Sequence, residues 1–346
     1  MGIPISEKVR DMVHRDKDSD QASVGLGVRS RREIFSSISS RYLFIGIWLV
    51  MVLFFWWKEP RFMSLTTAKA IFSGEQALIF LGLALLCTLI IGEIDLSGPA
   101  TLGLAATLVL VLNVVHGMNV VMASVIAIAV SLLVGVVNGI LIVIFKVSPF
   151  VVTLGMGTFL LGIGMAVSDL QSISGLSSSF ARISATRYGG LPIAFYYGLI
   201  GALFFAYVLY KTPLGRQMGF IGANPVVARL AGIRVQRIKF LSFVVASLIC
   251  GVGGVIMVAG LGGYNASGSN VFLLPVIAAV FLSTAVLDPG KFNPLGVLIA
   301  VYFLRSGVVG LQIIGLAEWV KPIFYGAALV VAVTTSTLLS SRRSSV

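Results

Sequence analysis

The sequence reads Gly222-Ala-Asn-Pro-Val-Val-Ala-Arg-Leu-Ala-Gly-Ile233 at the centre of a polar, basic interruption, Lys211 to Lys239, in an otherwise apolar chain. The interruption carries six basic residues and no Asp or Glu. Asn224 suits an N-cap, Pro225 the first position of a helix and Gly232 its end. The pattern predicts a short helix between two membrane spans, and we interpret it as a docking element.

Composition indicates an all-α, polytopic membrane protein. Of the 346 residues, 58% are hydrophobic and 11% are charged, and the mean hydropathy is +1.02, whereas soluble domains are about 45–50% apolar. The apolar residues fall in long runs, as in transmembrane helices. The net charge of +12 is not accompanied by a nucleic-acid-binding motif. Basic clusters also orient membrane spans, so no nucleic-acid partner is expected.

The sequence lacks motifs for metal binding and for ATP hydrolysis. Cys87 and Cys250 lie in apolar runs, and His14 and His116 are far apart, which predicts neither a disulfide nor a metal site. Gly290-Lys-Phe292 contains the Gly-Lys pair of a G-x-x-x-x-G-K-[ST] phosphate loop, but the first glycine of the motif and the Ser or Thr after the lysine are missing. We therefore expect a chain that can form a transport pathway but is not an enzyme, that binds no cofactor itself and that cannot hydrolyse ATP.

Ten apolar runs are interpreted as transmembrane helices, since a helix needs about 20 residues to cross the hydrocarbon core. They divide the chain into a polar N-terminal tail, 1–42, a transmembrane region, 43–339, and a short C-terminal tail, 340–346. The N-terminal tail has no apolar core near Met1, so we do not expect a cleaved signal peptide. The ten runs are 43–57, 77–92, 96–115, 119–145, 150–168, 191–210, 239–260, 271–287, 293–309 and 316–338.

The distribution of basic residues predicts the orientation of these spans. If the N-terminus is inside, the cytoplasmic segments hold 18 of the 25 Lys and Arg residues, and the opposite side, with Arg305 among them, holds seven. Positively charged loops stay preferentially on the cytoplasmic side. Both termini and the loop 211–239 are therefore expected in the cytoplasm.

A polar break, Gly92-Glu-Ile-Asp-Leu-Ser-Gly-Pro99, separates the second and third runs. It fits a tight loop at the cytoplasmic surface. Interrupted membrane helices with polar residues also form binding sites in transporters, which would place Glu93, Asp95 and Ser97 on a translocation pathway. Asp95 and Ser97 are alternatively caps for the helix that starts near Pro99. The sequence leaves these alternatives open.

Two further segments place polar groups in or beside apolar runs. Ser148-Pro-Phe-Val-Val-Thr-Leu-Gly155 contains a proline that suits a helix start, and close helix packing is the simpler explanation of the glycines that follow. Gly135-Val-Val-Asn-Gly139 is a small-residue face whose central amide needs a partner inside the protein. The additional pathway candidates are Asn138, Pro149, Phe150 and Thr153.

Four landmarks together resemble those of bacterial ABC importer permeases of the ribose, xylose and autoinducer-2 type. The segment from Gly222 to Lys239 is similar to the cytoplasmic coupling motif of that family, and Ile91-Gly-Glu-Ile-Asp-Leu-Ser97 is similar to its signature near the second span. The segments 148–155 and Pro275-Val-Ile-Ala-Ala-Val280 resemble two later landmarks. The landmarks occur in the family's order, and the resemblance covers residues 43–339.

The resemblance implies a multi-pass subunit of the bacterial inner membrane that imports a monosaccharide or a related small polyol. It implies four partners: a second permease copy or paralogue, a cytoplasmic ATPase that uses ATP and Mg²⁺, a periplasmic or lipid-anchored sugar-binding protein, and membrane lipid. ATPase closure would move the coupling helix as a lever and drive alternating access. By position, the ATPase-coupling residues are Gly222, Asn224, Pro225, Ala228, Arg229, Gly232 and Ile233. Arg229 either meets an acidic rim of the ATPase or anchors the topology.

The chain departs from the family pattern farther along. Where the family usually has a glycine-rich block, residues 282–296 retain only Gly290 and Gly296, and Gly98-Pro99 replaces the usual Val-Gly. Bulkier residues do not take the same tight turns as glycine. One interpretation is that the chain is the divergent member of a permease heterodimer.

An ion-coupled secondary transporter is the alternative function. Glu93 and Asp95 would then bind the coupling ion or proton at a broken helix, and no ATPase would be needed. A channel or a membrane enzyme ranks behind both, because no cluster of catalytic groups is found in the sequence.

Overall fold

The computed structural model describes the backbone of residues 31–344 and the side chains of residues 44–334. By its contacts the chain divides into Met1–Ser40 and Arg41–Val346, and all of the described side chains belong to the second unit. The expected tails, 1–42 and 340–346, lie outside the residues whose side chains are described. Their boundaries therefore stay predictions.

Helices make up most of the described chain, and four two-residue strands form two small antiparallel sheets. The strands are β1 (Ile173–Ser174), β2 (Arg187–Tyr188), β3 (Leu191–Pro192) and β4 (Gly263–Tyr264). β1 pairs with β4, and β2 pairs with β3. The helices are α1 (Arg31–Lys58), α2 (Leu65–Ser73), α3 (Gln76–Leu89), α4 (Gly98–Leu110), α5 (Val120–Gly139), α6 (Pro149–Val167), α7 (Ser178–Ala185), α8 (Ile193–Lys211), α9 (Pro213–Ala223), α10 (Pro225–Leu230), α11 (Val235–Leu261), α12 (Leu273–Ser283), α13 (Pro294–Ile313) and α14 (Val320–Ser344).

The described helices confirm an all-α membrane protein with about ten transmembrane helices. Seven helical segments are long and apolar enough to cross a membrane, if the adjoining turns Val111–Val115, Ile140–Ile144 and Ala266–Phe272 are counted with α4, α5 and α12. α2 and α3, which meet at a bend of 42°, add an eighth if they form one span. α1 and α14 carry shorter apolar stretches, Phe44–Lys58 and Val320–Thr334. Each of the ten expected runs thus falls on a helix. The short helices α2, α7 and α9 are additions that the apolar runs did not indicate.

α11 is the central helix of the bundle, and it packs against α3, α4, α5 and α7. Its contact with α5 depends on glycine, because a Cβ at Gly135 would lie 2.8 Å from the carbonyl oxygen of Phe243. Asn138, on the same stretch of α5, is fully buried. The predicted small-residue face of α5 is therefore a close helix–helix contact, and the Asn138 amide faces the protein, as expected.

The connections between helices divide between two ends of the bundle. The end that carries residues 211–239 is termed the basic end. There the loop after α3 reaches α9, since Gly222 lies against Ile90. The end of α8 reaches the loop 284–293, since the Tyr210 hydroxyl donates to Asp288 Oδ2 at 3.3 Å. The β1–β4 sheet lies at the opposite end, where α11 finishes.

The loop 284–293 shows how the chain turns without a glycine-rich block. Asn293 Nδ2 donates to the carbonyl oxygens of Ser283 at 2.8 Å and Val286 at 2.9 Å. Asn293 Oδ1 accepts from the backbone nitrogen of Gly296 and thereby caps α13. A buried asparagine side chain therefore satisfies backbone groups of this turn and connects it to the start of α13.

Candidate coupling site

The predicted docking helix forms as α10. Asn224 Oδ1 accepts from the backbone nitrogens of Val226 at 2.9 Å and Val227 at 3.1 Å, which caps the helix. Pro225 is its first residue. Gly232 follows the helix with φ +79°, a left-handed conformation that favours glycine. The helix and both of its end signals are therefore confirmed.

One face of α10 is buried through Ala228, which is 2% exposed. Ala228 packs in a cluster of apolar side chains from the loop after α3, from α9 and from α11, termed the basal cluster. Ile233 packs against this cluster. The basal cluster therefore connects α10 both to a transmembrane helix and to the polar break. Its members are Ile91, Met218, Ile221, Ala228, Val235 and Ile238.

The opposite face of α10 is apolar and exposed. Val226, Val227 and Leu230 are 63%, 59% and 83% exposed, and Arg229 is exposed beside them. These four residues are termed the docking face. Large apolar side chains grouped on an exposed, polar part of a protein are typical of a surface that binds another protein.

Gly222 allows α9 to approach the polar break closely. A Cβ at this position would overlap the carbonyl oxygen of Ile90 and would lie 3.6 Å from the Cα of Ile91. Backbone atoms cannot move aside as the end of a flexible side chain can. The contact therefore requires glycine at position 222.

An ion pair joins the polar break to α11. Lys239 Nζ donates to Glu93 Oε1, and the two side chains are 21% and 13% exposed. A pair that is mostly shielded from water is screened less than a surface pair. Glu93, one of the pathway candidates, is thereby tied to the segment that carries the docking face.

Asp95 organises the turn before α4. Its side chain is buried, and Oδ1 accepts from the backbone nitrogen and the hydroxyl of Ser97 at 2.9 and 2.6 Å. The Ser97 hydroxyl oxygen in turn accepts from Asn138 Nδ2, 3.0 Å away on α5. Ser97 stands at the N-cap of α4 but makes no capping bond with its side chain. The capping role expected of Ser97 is therefore wrong, because its hydroxyl is already engaged by Asp95 and Asn138.

Thr153 joins α6 to the same break. Its hydroxyl oxygen accepts from the backbone nitrogen of Leu96 at 3.0 Å and donates to the carbonyl oxygen of Ile94 at 3.4 Å. Pro149 is the first residue of α6, and Phe150 is 54% exposed next to it. Four side chains that form hydrogen bonds within or to the polar break are termed the polar network. They are Asp95, Ser97, Asn138 and Thr153, and Pro149 and Phe150 are not among them.

The space beside the polar network is small. The cavity that touches Asp95 has a volume of about 10 Å³, near the minimum of about 10–15 Å³ for one water molecule. In this conformation the polar network therefore connects the starts of α4 and α6 with α5, directly next to the basal cluster. Whether its members line the pathway in another conformation stays a prediction.

A buried ion pair in the transmembrane region went unrecognised in the sequence. Arg305, which was counted on the side away from the cytoplasm although the apolar run 293–309 contains it, lies within α13, and its Nε is 3.2 Å from Glu75 Oε1 at the bend between α2 and α3. The contact is electrostatic, because Arg305 Nε makes no hydrogen bond of suitable geometry. The sequence indicated only that opposite charges lie beside or within apolar runs. A single sequence does not reveal which of these charges form an ion pair.

Comparison with known proteins gives the family. A family described as "Branched-chain amino acid transport system / permease component" matches residues 71–333. The probable ABC transporter permease protein YphD of Escherichia coli K12 is 29% identical over 201 residues, 58% of this chain and 60% of YphD. The ribose import permease protein RbsC of Bacillus subtilis 168 is 29% identical over 244 residues, 70% of this chain and 76% of RbsC. The autoinducer 2 import system permease protein LsrD of Escherichia coli K12 is 31% identical over 281 residues, 80% of this chain and 85% of LsrD.

The family match contains the docking face, the basal cluster, the polar network and the Glu75–Arg305 pair. The candidate site therefore lies within the part of the chain that matches the family. The resemblance inferred from the four landmarks is confirmed. This chain belongs to the branched-chain amino acid transport system permease component family, and it is a multi-pass membrane transport permease.

Proposed function

We propose that this chain is the permease subunit of an ABC importer and forms the pathway for a monosaccharide or related small polyol across the cytoplasmic membrane. Two relatives support the substrate class, since RbsC is named a ribose import permease and LsrD an autoinducer 2 import permease. The observation that carries the proposal is the construction of α10, with an exposed apolar face above a buried face that packs on the transmembrane region.

The docking face is proposed to bind a cytoplasmic ABC ATPase. ATP and Mg²⁺ would bind to that ATPase and not to this chain. Val226, Val227 and Leu230 offer apolar side chains to a cleft, and exposed Arg229 offers a charge to an acidic rim. An interface of this kind has an apolar centre and a polar edge. The coupling residues predicted from the sequence divide accordingly. The start and end of α10 are fixed by Asn224, Pro225 and Gly232. Its packing against the rest of the chain depends on Gly222, Ala228 and Ile233. Arg229 contacts the partner.

Movement of α10 is transmitted through direct contacts. Ala228 shares the basal cluster with Ile91, at the start of the polar break, and with Val235 and Ile238 of α11. The polar break continues into the polar network, which bonds to α5 and α6. A displacement of α10 therefore acts on α4, α5, α6 and α11 together, as a lever that drives alternating access requires.

The remaining partners are proposed from the same arrangement. The basic end faces the cytoplasm, because the loop 211–239 has six basic and no acidic residues. A periplasmic or lipid-anchored sugar-binding protein would then deliver substrate at the opposite end, where the β1–β4 sheet lies. A second copy of this chain or a paralogue completes the pathway within the membrane lipid.

Transport by reconstituted vesicles tests the proposal. The chain is purified from native membranes with its bound partners and placed in proteoliposomes that contain ATP, and the uptake of labelled ribose and other monosaccharides is measured. We expect ATP-dependent uptake that vanadate stops and a protonophore leaves unchanged. Uptake that follows the ion gradient and ignores vanadate would instead support the ion-coupled alternative. That alternative uses Glu93 and Asp95 as the coupling site, and of these the Glu93 carboxylate is paired with Lys239.

A further inference from the structure

A cavity of about 500 Å³ lies between α3, α8, α9 and α11 near the basic end. This volume is within the range of small-molecule sites, about 300–1,000 Å³. Its lining is apolar apart from Ser242. The cavity opens sideways past Phe204 and Leu241, which are 67% and 55% exposed. In a membrane protein, an apolar cavity with a lateral opening is accessible to hydrocarbon chains of the bilayer.

Basic residues stand at the ends of the two helix faces that line this cavity. On α8, Phe204 and Val208 line the wall, and Lys211 follows on the same face at helical spacing. On α11, Arg237 precedes the lining residue Leu241 by one turn. Lys211 and Arg237 are exposed, and neither forms an ion pair within residues 44–334.

We propose that this cavity binds an acyl chain of an anionic phospholipid and that the headgroup phosphate lies against Lys211 and Arg237. The apolar wall and its positively charged end match the two parts of such a lipid. Arg216 adds a third exposed cation on α9. The nearby carboxylate of Asp288, which accepts a hydrogen bond from Tyr210, is one negative charge against these three cations, so the charge at this edge is positive overall.

The cavity and the candidate coupling site share two side chains. Met218 and Ile238 line the cavity and also belong to the basal cluster beneath α10. A bound acyl chain therefore packs against the support of the docking face and stabilises it. This consequence for coupling rests on the proposed function, whereas lipid binding itself does not.

Native mass spectrometry of the purified full-length chain tests the proposal directly. Dioleoyl phosphatidylglycerol and dioleoyl phosphatidylcholine, which differ only in the headgroup, are added at equal concentrations. We expect the wild type to retain phosphatidylglycerol preferentially, by about fivefold for each basic residue near the headgroup. The double variant Lys211→Gln/Arg237→Gln should lose most of that preference, since only Arg216 then remains at this edge. A preference that is unchanged in this variant would overturn the proposal.

Two control variants distinguish the cavity from general attraction to the membrane. Arg182→Gln/Arg187→Gln removes the same charge at the opposite end and should keep the preference.

Gly201→Leu fills the cavity, because its side chain would extend toward Leu83, and it should reduce the retention of both lipids. Gly162→Leu makes the same change on α6, where a Cβ meets no atom within 4 Å, and should have no effect. Equal loss in Gly162→Leu and Gly201→Leu, or retention of a second protein chain in place of lipid, would contradict an acyl-chain site.

Discussion

Lys239 and Glu93 form an ion pair between segments that are 146 positions apart in the chain. Lys239 lies in the second turn of α11, and Glu93 lies in the polar break after α3. The pair joins two of the four landmarks on which the family resemblance rests. The coupling motif and the polar break are therefore neighbouring parts of one site at the basic end.

Charge reversal at this pair should impair coupling, and double reversal should restore it. Glu93→Lys and Lys239→Glu each place like charges together, so we expect each to lower the free energy of unfolding by about 1.5–3 kcal/mol and to reduce uptake. Glu93→Lys/Lys239→Glu re-forms the pair. Uptake and melting temperature are measured for all three variants. If the double variant is no better than the single ones, the pair does not link the two segments.

Substitution of Gly222 should separate α9 from the polar break. Gly222→Ala places a methyl group on the carbonyl oxygen of Ile90, so the backbone has to shift. We expect ATP-dependent uptake to fall, with the chain still inserted in the membrane. Gly219→Ala is the matched control on the same helix, because a Cβ there meets no atom within 4 Å. Equal uptake by the two variants would show that the close approach is not needed.

Asp95 should tolerate asparagine better than alanine. In Asp95→Asn the side-chain amide oxygen still accepts the hydrogen bond from the Ser97 backbone, whereas Asp95→Ala leaves that group unpaired and should cost about 1–2 kcal/mol. Melting temperature and uptake at equal protein level are measured, which separates a structural role of Asp95 from a role on the translocation pathway. Loss of uptake in a stable Asp95→Asn variant would place the Asp95 charge on the pathway and contradict a purely structural role.

The Glu75–Arg305 pair should matter for stability within the membrane region. Arg305→Gln leaves the Glu75 carboxylate, which is 9% exposed, without its ion-pair partner. We expect the free energy of unfolding to fall by about 3 kcal/mol, since an unpaired buried charge is costly. Glu75→Gln/Arg305→Gln removes both charges and should recover most of the decrease in melting temperature that Arg305→Gln causes. A melting temperature that is the same in wild type and in Arg305→Gln would refute this stabilisation.

Local signals predicted α10 and the ten membrane spans, whereas tertiary contacts determined the rest. Asn224, Pro225 and Gly232 act within one short segment, so their positions along the chain were sufficient to indicate the helix and its ends. The partners of Glu93 and Asn138 come from other helices, which one sequence does not bring together. Ser97 shows most clearly what a single sequence does not predict. Its position suits a helix cap, whereas its hydroxyl is hydrogen-bonded to a residue of another helix.

Copurification of the ATPase with a docking-face variant tests the central claim most directly. Leu230→Asp adds a charge at a side chain that is 83% exposed, and Leu170→Asp makes the same change at one that is 70% exposed at the opposite end. We expect Leu230→Asp to insert normally but to lose the ATPase and ATP-dependent uptake, while Leu170→Asp retains the ATPase. Wild-type amounts of ATPase bound to Leu230→Asp would contradict the assignment of α10 as the coupling helix.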